Sequence, residues 1–402
     1  MPQAPRFSLT LVAVALAIGL SPSPRVLAQE LEKPEIAKFD TADGVRINGL
    51  FYRCPTKGAP AVIMLHNIGD SSQKEKWVEL AKTLQTDFSV LTFDFRGHGK
   101  STDIDPSLYF KYPFNVKTTK GASPNKTKLD WKDIDKSAYP VFVNDIAAAH
   151  SYLERSKNDL GMCNTQNTII IGAEQGATLG AIWANSEWHR YKIDFAPPFY
   201  QIRPENRPEG QYLSALVALS ISPKLGNRVV SLGGTLLYPC KENKMPALFI
   251  TSEGDPKDKE SIKDRDTSRA IEKFLKFTGK KEDKKLTSTF AIELKGAGKL
   301  RGVDLLVKSL AADNKTSTAD GIKTYLKQVI AENSNEWTQR DFLKSKFAWK
   351  VSPDPNETPI PARVFNFQSP FPPNPIFAIG AVLPDAVEKN IAYDNYELFV
   401  GR

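Results

Sequence analysis

The groups in this chain with chemistry to offer are imidazoles, thiols, and carboxylates set in glycine-rich turns. Four histidines, His66, His98, His150 and His189, could serve as acids, bases or metal ligands, because imidazole changes charge near neutral pH. Three cysteines, Cys54, Cys163 and Cys240, are scattered without the paired spacing that holds zinc, so no metal site is expected, and no cofactor. In an oxidising compartment one disulfide could form among them and leave one thiol over; the spacing does not choose the pair. His150 follows Ala147 to Ala149 in a helical pattern and His189 falls in a polar loop, and neither has a partner near it in the chain.

Such groups need a frame, and the periodic segments supply one. An N-terminal hairpin is predicted over about Ile36 to Arg53, turning at Asp43-Gly44. Short apolar strands follow at Ala61 to Leu65, Val90 to Phe93, Thr168 to Ile171, Ala215 to Leu219, Ala247 to Ile250 and Thr289 to Leu294. Helical patterns fall between them at Lys74 to Leu84, Val141 to Arg155, Gly176 to Ser186 and Ser268 to Thr278. Alternation of this kind predicts an α/β fold, a mainly parallel sheet with helices on both faces. Residues 102–137, polar and Lys-rich, read as an insertion over the carboxyl edge of the sheet, and residues 187–210, rich in proline and aromatics, as a second such loop. Aromatics in the first insertion (Tyr109, Phe110, Tyr112, Phe114, Trp131) are read mainly as anchors that tie a long loop to the core. From about Glu336 the chain holds several prolines, with strand-like alternation at Phe347 to Val351 and Val364 to Phe367, which predicts a small β-containing appendage over 336–402.

Composition narrows the class. At 402 residues, 41% hydrophobic and 25% charged, the chain suits one large globular domain with an appendage. Residues 1–28 read as an export signal: Arg6, an apolar run from Phe7 to Leu20, and Val26-Leu27-Ala28 as a cleavage site. Ser21-Pro22-Ser23-Pro24-Arg25 ends that run short of the roughly 20 residues a membrane anchor needs. The mature main domain would then cover residues 29–335, and the protein would be periplasmic or secreted, with no membrane span after cleavage. Loss of Arg6 and Arg25 lowers the formal charge from +8 to +6. That mild excess, with Lys257 to Lys285 interleaved with Asp and Glu, argues against nucleic-acid binding.

Two turns carry a resemblance. Leu65-His66-Asn67-Ile68-Gly69-Asp70-Ser71-Ser72 follows one predicted strand, and Phe93-Asp94-Phe95-Arg96-Gly97-His98-Gly99-Lys100-Ser101 follows the next. Together they resemble the α/β-hydrolase superfamily, in its branch of serine aminopeptidases and monoacylglycerol-lipase-like enzymes, over about residues 36–332. The resemblance implies an oxyanion-hole region at His66 and Asn67, with Gln175 offering the second amide, and makes His66 and His98 loop-shaping residues. It places the nucleophile in a Gly-x-Ser-x-Gly elbow, where this chain has Gly172-Ala173-Glu174-Gln175-Gly176. The acid position matches Asp255, within Ser252-Glu253-Gly254-Asp255-Pro256. The base position falls in Gly296-Ala297-Gly298-Lys299-Leu300-Arg301-Gly302, on Lys299, and no histidine follows Asp255.

Glu174 and Lys299 thus stand where serine and histidine are required, and loss of either member costs on the order of 10⁶ in turnover. The expectation is a non-catalytic relative that keeps a crevice for a small-molecule ligand; a protein partner is not identified. Enzymes resembling epoxide hydrolases and haloalkane dehalogenases use an elbow carboxylate as nucleophile, which leaves an alternative: unconventional hydrolysis of an ester, epoxide or peptide by Glu174. In the inactive reading, Lys299 is expected within salt-bridge distance of Glu174, Asp255 or both. N-terminal sequencing of the exported protein should begin near Gln29; an intact Met1 would overturn the signal reading.

Overall fold

In the computed structural model, runs of β-branched and aliphatic residues form inner strands that are buried on both faces. The structure describes residues 31–41, 43–188, 190–196, 199–201, 207–276, 289–310, 316–339 and 346–349. The signal segment, His189 and the expected strand at Val364 to Phe367 lie outside the described residues. The strands of the central sheet are β1 (Glu35–Asp40), β2 (Arg46–Tyr52), β3 (Pro60–Leu65), β4 (Ser89–Phe93), β5 (Asn164–Ala173), β6 (Leu213–Leu219), β7 (Ala247–Ser252) and β8 (Thr289–Leu294). Their order is β1-β2-β4-β3-β5-β6-β7-β8. β2 pairs antiparallel with β1 and β4, and every later pairing is parallel.

Helices cover the two faces: α1 (Glu75–Gln85), α2 (Val143–Leu153), α3 (Gln175–Trp188), α4 (Lys259–Lys276) and α5 (Thr318–Asn333). Because successive strand side chains point to opposite faces, Ile63, Leu65, Leu91, Ile170 and Leu216 join a core with Ile146 of α2, Leu179 and Trp183 of α3, and Ile271 of α4. Their neighbours Val62, Met64, Val90, Ile169 and Val217 join a second core with Trp77 and Leu80 of α1 and Ile322, Leu326 and Val329 of α5.

Two helices depart from the expectation. α5 was not predicted, although Ser317 caps it by accepting the Asp320 amide at 3.0 Å and its apolar residues recur at helical spacing. α4 begins at Lys259 rather than Ser268, because its buried stripe runs through Ser261, Asp264 and Ser268 before reaching Ile271 and Leu275. A polar stripe of helical period is invisible to a search for apolar residues.

The first insertion lies over the loops that follow β3 and β4. Trp131 stacks on His98 with ring centroids 5.3 Å apart, and Tyr109 is buried. Beneath it Arg96 is fully enclosed. Its guanidinium donates to Asp43 of the hairpin turn at 2.7 Å and to Asp145 of α2 at 2.7 Å, while Asn115 of the insertion donates to Asp43 at 3.0 Å. Burial pushes the Asp43 carboxyl up, but Arg96 pulls it below its ordinary value.

The second insertion corrects the expectation. Residues 187–210 were predicted to roof the crevice, yet they begin at the far end of α3. A helix of 14 residues spans about 21 Å and, as the crossover of a parallel unit, runs back to the amino edge of the sheet. There Arg190–Ala196 and Phe199–Gln201 pair antiparallel, and Lys346–Trp349, overlapping the strand expected at Phe347 to Val351, adds to the first of them. Asn335 docks the approaching chain by accepting from Asn164 and Asn167 and donating to Gln166, all at the start of β5. This explains why β5 opens with buried polar residues and is longer than its apolar run.

Arg96→Met should destabilise the fold by about 3–5 kcal/mol, because it leaves two enclosed carboxylates without their cation. Urea unfolding checks this; a change within about 0.5 kcal/mol would contradict it.

Candidate functional site

The site is built where β5 turns into α3. Glu174 sits at φ 47°, a left-handed conformation that is unfavourable for a residue with a side chain. The strain persists because its neighbours determine it. The Glu174 amide donates to Leu219 O at 2.9 Å, and its carbonyl accepts from Thr178 and Ser222 at 3.2 and 3.3 Å. Two glycines let the turn close. A Cβ on Gly176 would lie 2.3 Å from His66 O, and one on Gly172 would lie 2.4 Å from Ala177 Cα. The outcome is a side chain lifted above the carboxyl edge of the sheet.

The loop after β3 meets this elbow. His66 is buried; its Nδ1 donates to Asn67 O at 2.7 Å and its Nε2 accepts the Phe95 amide at 3.0 Å. In His98, Nε2 accepts the Gly69 amide at 2.8 Å and Nδ1 donates to Arg96 O at 3.0 Å. An amide can only donate, so both rings are held as neutral tautomers. Burial and the neighbouring His66 push His98 down to about 4. Neither ring reaches the elbow residue. Asn67 does: its Oδ1 accepts the Gln175 amide at 3.2 Å, so a side chain occupies the N–H that the resemblance assigns to an oxyanion. The Gln175 side chain accepts the Gly226 amide at 2.8 Å.

The expected ion pair is not formed. Lys299 is exposed and bridges neither Glu174 nor Asp255. Asp255 closes a turn of its own, accepting the Lys257 amide at 2.9 Å, while its amide donates to Ser261 Oγ at 3.0 Å. Instead Arg301, two residues beyond Lys299, reaches the elbow. Its Nη2 lies 3.3 Å from Glu174 Oε2, and its Nε donates to Asp264 Oδ2 of α4 at 2.5 Å. Positive φ at Gly296, Gly298 and Gly302 folds the loop back so that residue 301, not 299, faces inward. Gly302 lies against the carboxylate; a Cβ there would come within 2.7 Å of Glu174 Oε1.

Two carboxylates therefore share one guanidinium. Burial pushes Asp264 up to about 6, with Arg301 opposing the rise and Glu174 adding to it. Burial likewise raises Glu174, against the pull of Arg301. The guanidinium keeps its proton throughout, since its carboxylate partners outweigh its burial. The cluster can hold charge, but among the described residues no histidine ring touches the elbow.

Among the described residues no group of His, Cys, Asp or Glu could hold a metal. All three cysteines are free and buried, so no disulfide joins them, and burial pushes their thiols up. Among the described residues no helix is long and apolar enough to cross a membrane.

The strand order, the left-handed elbow between β5 and α3, and the helices on both faces are the α/β-hydrolase arrangement. No family model matches the chain, and no curated protein does. Solved structures similar to it include Est1E from Butyrivibrio proteoclasticus with ferulic acid bound, 13% identical with a TM-score of 0.43, over 74% of this chain and 99% of that one. A dienelactone hydrolase from Anabaena variabilis is 13% identical, TM-score 0.42, over 75% and 99%. The Pyrococcus furiosus esterase Pf2001 is 13% identical, TM-score 0.43, over 75% and 92%.

Because the folded Asp264 holds its proton more tightly than an unfolded aspartate, its contribution to stability is present below about pH 4 and lost as pH rises through about 6. Asp264→Asn removes that loss. The variant should gain on wild type by on the order of 2 kcal/mol between pH 4 and pH 7.5 in denaturant unfolding, and a constant difference would refute the assignment.

Proposed function

We propose that this is an exported α/β-hydrolase-fold protein that binds a small-molecule ligand in its crevice and does not act as a serine hydrolase. The observation that carries this reading is Arg301 bridging Glu174 and Asp264 in the place of a catalytic base. A guanidinium stays protonated at any physiological pH and cannot activate a nucleophile or a water. The elbow offers no hydroxyl to activate. Asn67 supports the same reading, because a side chain that accepts the Gln175 amide competes with a substrate oxyanion for it.

A second reading is favoured by Glu174 itself. Its raised proton affinity and its 21% side-chain exposure suit a carboxylate that acts as nucleophile or as base for water. The ester intermediate of the first route would still need a base to release it.

Purified protein treated with a fluorophosphonate probe should remain unlabelled. Across ester, epoxide and peptide substrates its turnover should equal that of Glu174→Ala, while a thermal-shift screen of small molecules gives a hit. Serine labelling would overturn the proposal, and activity that disappears in Glu174→Ala would establish the second reading.

A further inference from the structure

At the amino edge of the sheet, away from the elbow, β5 opens with residues that have no place in its ladder with β3. Asn164 pairs with Pro60 and Thr168 with Ala61, so Thr165, Gln166 and Asn167 lie between two successive rungs. Buried backbone without a neighbouring strand must find its hydrogen bonds elsewhere. Side chains supply some of them: Asn158 Oδ1 accepts the Thr165 amide at 3.1 Å, and Asn164 Oδ1 accepts the Gln166 amide at 3.0 Å. Asn158, Asn164, Gln166 and Asn167 are all buried, and the rest of their polar capacity is turned toward residues 335–338.

Asn164 and Asn167 donate to Asn335 O at 3.0 and 2.7 Å, Asn158 donates to Thr338 O at 3.1 Å, and Gln166 donates to Thr338 Oγ1. In return the Asn335 amide donates to Asn167 Oδ1 at 2.8 Å, and Trp337 Nε1 donates to Asn158 O at 3.0 Å. Trp337 lies against Gly58, where an added Cβ would come 3.3 Å from the Trp337 Cβ, and the Lys57 ammonium sits 5.7 Å from its ring centroid. Main-chain groups of 335 and 338 are thus gripped as those of an extended bound peptide are. The gripped segment itself stays wet: Ser334, Asn335, Glu336, Thr338 and Gln339 are exposed, and Trp337 is half-buried. Docking therefore buries little apolar surface, and hydrogen bonds that water can replace add little net free energy.

We propose that residues 335–338 are a releasable clasp: the amino edge of β5 holds them as it would a bound peptide, and they leave as one unit with the strand Lys346–Trp349 while the elbow stays folded. This goes beyond ligand binding and does not depend on it. Among the described residues Lys346–Trp349 pairs only with Arg190–Ile193, and so short a pairing is marginal alone, so the strand follows the clasp. The elbow is held separately, by Leu219, Thr178 and Ser222. Opening confined to the clasp then costs less than global unfolding.

Amide hydrogen exchange on the full chain tests this. Segments 164–167, 334–338 and 346–349 should share one opening constant and exchange at least about tenfold faster than the elbow amides of Glu174 and Thr178. Trp337→Ala should raise exchange in all three segments about tenfold further and leave the elbow amides unchanged, with Trp337→Phe, which keeps a ring but no N–H, in between. Exchange of 164–167 as slow as the elbow, or different constants for the three segments, would defeat the clasp. So would a Trp337→Ala variant that exchanges like wild type, or one whose elbow amides accelerate equally.

Discussion

The tight crossing at the end of β5 governs the functional part of this molecule. Backbone from the loop after β3 comes so close to α3 that position 176 has no room for a side chain, and the chain must bend through a left-handed residue at 174. A bend of that kind presents whatever stands at 174 to the space above the sheet, regardless of its chemistry. Here the presented group is a carboxylate, and Arg301, itself paired with Asp264, answers that charge. An ionised carboxylate in a half-buried position needs a cation nearby, or it takes up a proton.

Arginine meets the need in a way lysine could not from the same loop. A guanidinium presents several N–H groups in one plane and can address two carboxylates at once, which is how Glu174 on the elbow and Asp264 on α4 share Arg301. Such a bracket adds little net stability, since removing three charges from water offsets much of their attraction. Its effect is to define one arrangement of the loop. Removing any single member leaves a charge without its complement, so the three residues act as a unit.

The parts that depart from a plain parallel-sheet fold divide between the two edges of the sheet. Over the carboxyl edge, the first insertion is pinned by Trp131 on His98 and by the enclosed Arg96, so it is a fixed part of the scaffold. At the amino edge, the second insertion pairs with the strand after Asn335, and the polar start of β5 supplies the dock. Polar residues buried in a strand are costly unless partnered; these are partnered by a segment about 170 residues later, as in Asn167 with Asn335.

Much of the fold could be read from residue patterns, because a strand buried on both faces must be apolar along its length and a crossover helix must carry an apolar stripe. The elbow was equally readable, since glycines two residues either side of 174 are what such a bend requires. Local pattern failed where burial is carried by polar groups: the first half of α4, whose inward stripe includes Asp264, and the start of β5. Which cation would answer Glu174 could not be read at all. Lys299 and Arg301 are two residues apart in one glycine-rich loop, and only the positive φ at its glycines turns the second of them inward. The chain by itself determined the strands, the bend, and the carboxylate that stands at its apex. Only the tertiary structure decided the partners of that carboxylate, because ion pairing depends on directions in space that a loop of glycines leaves unwritten in its sequence.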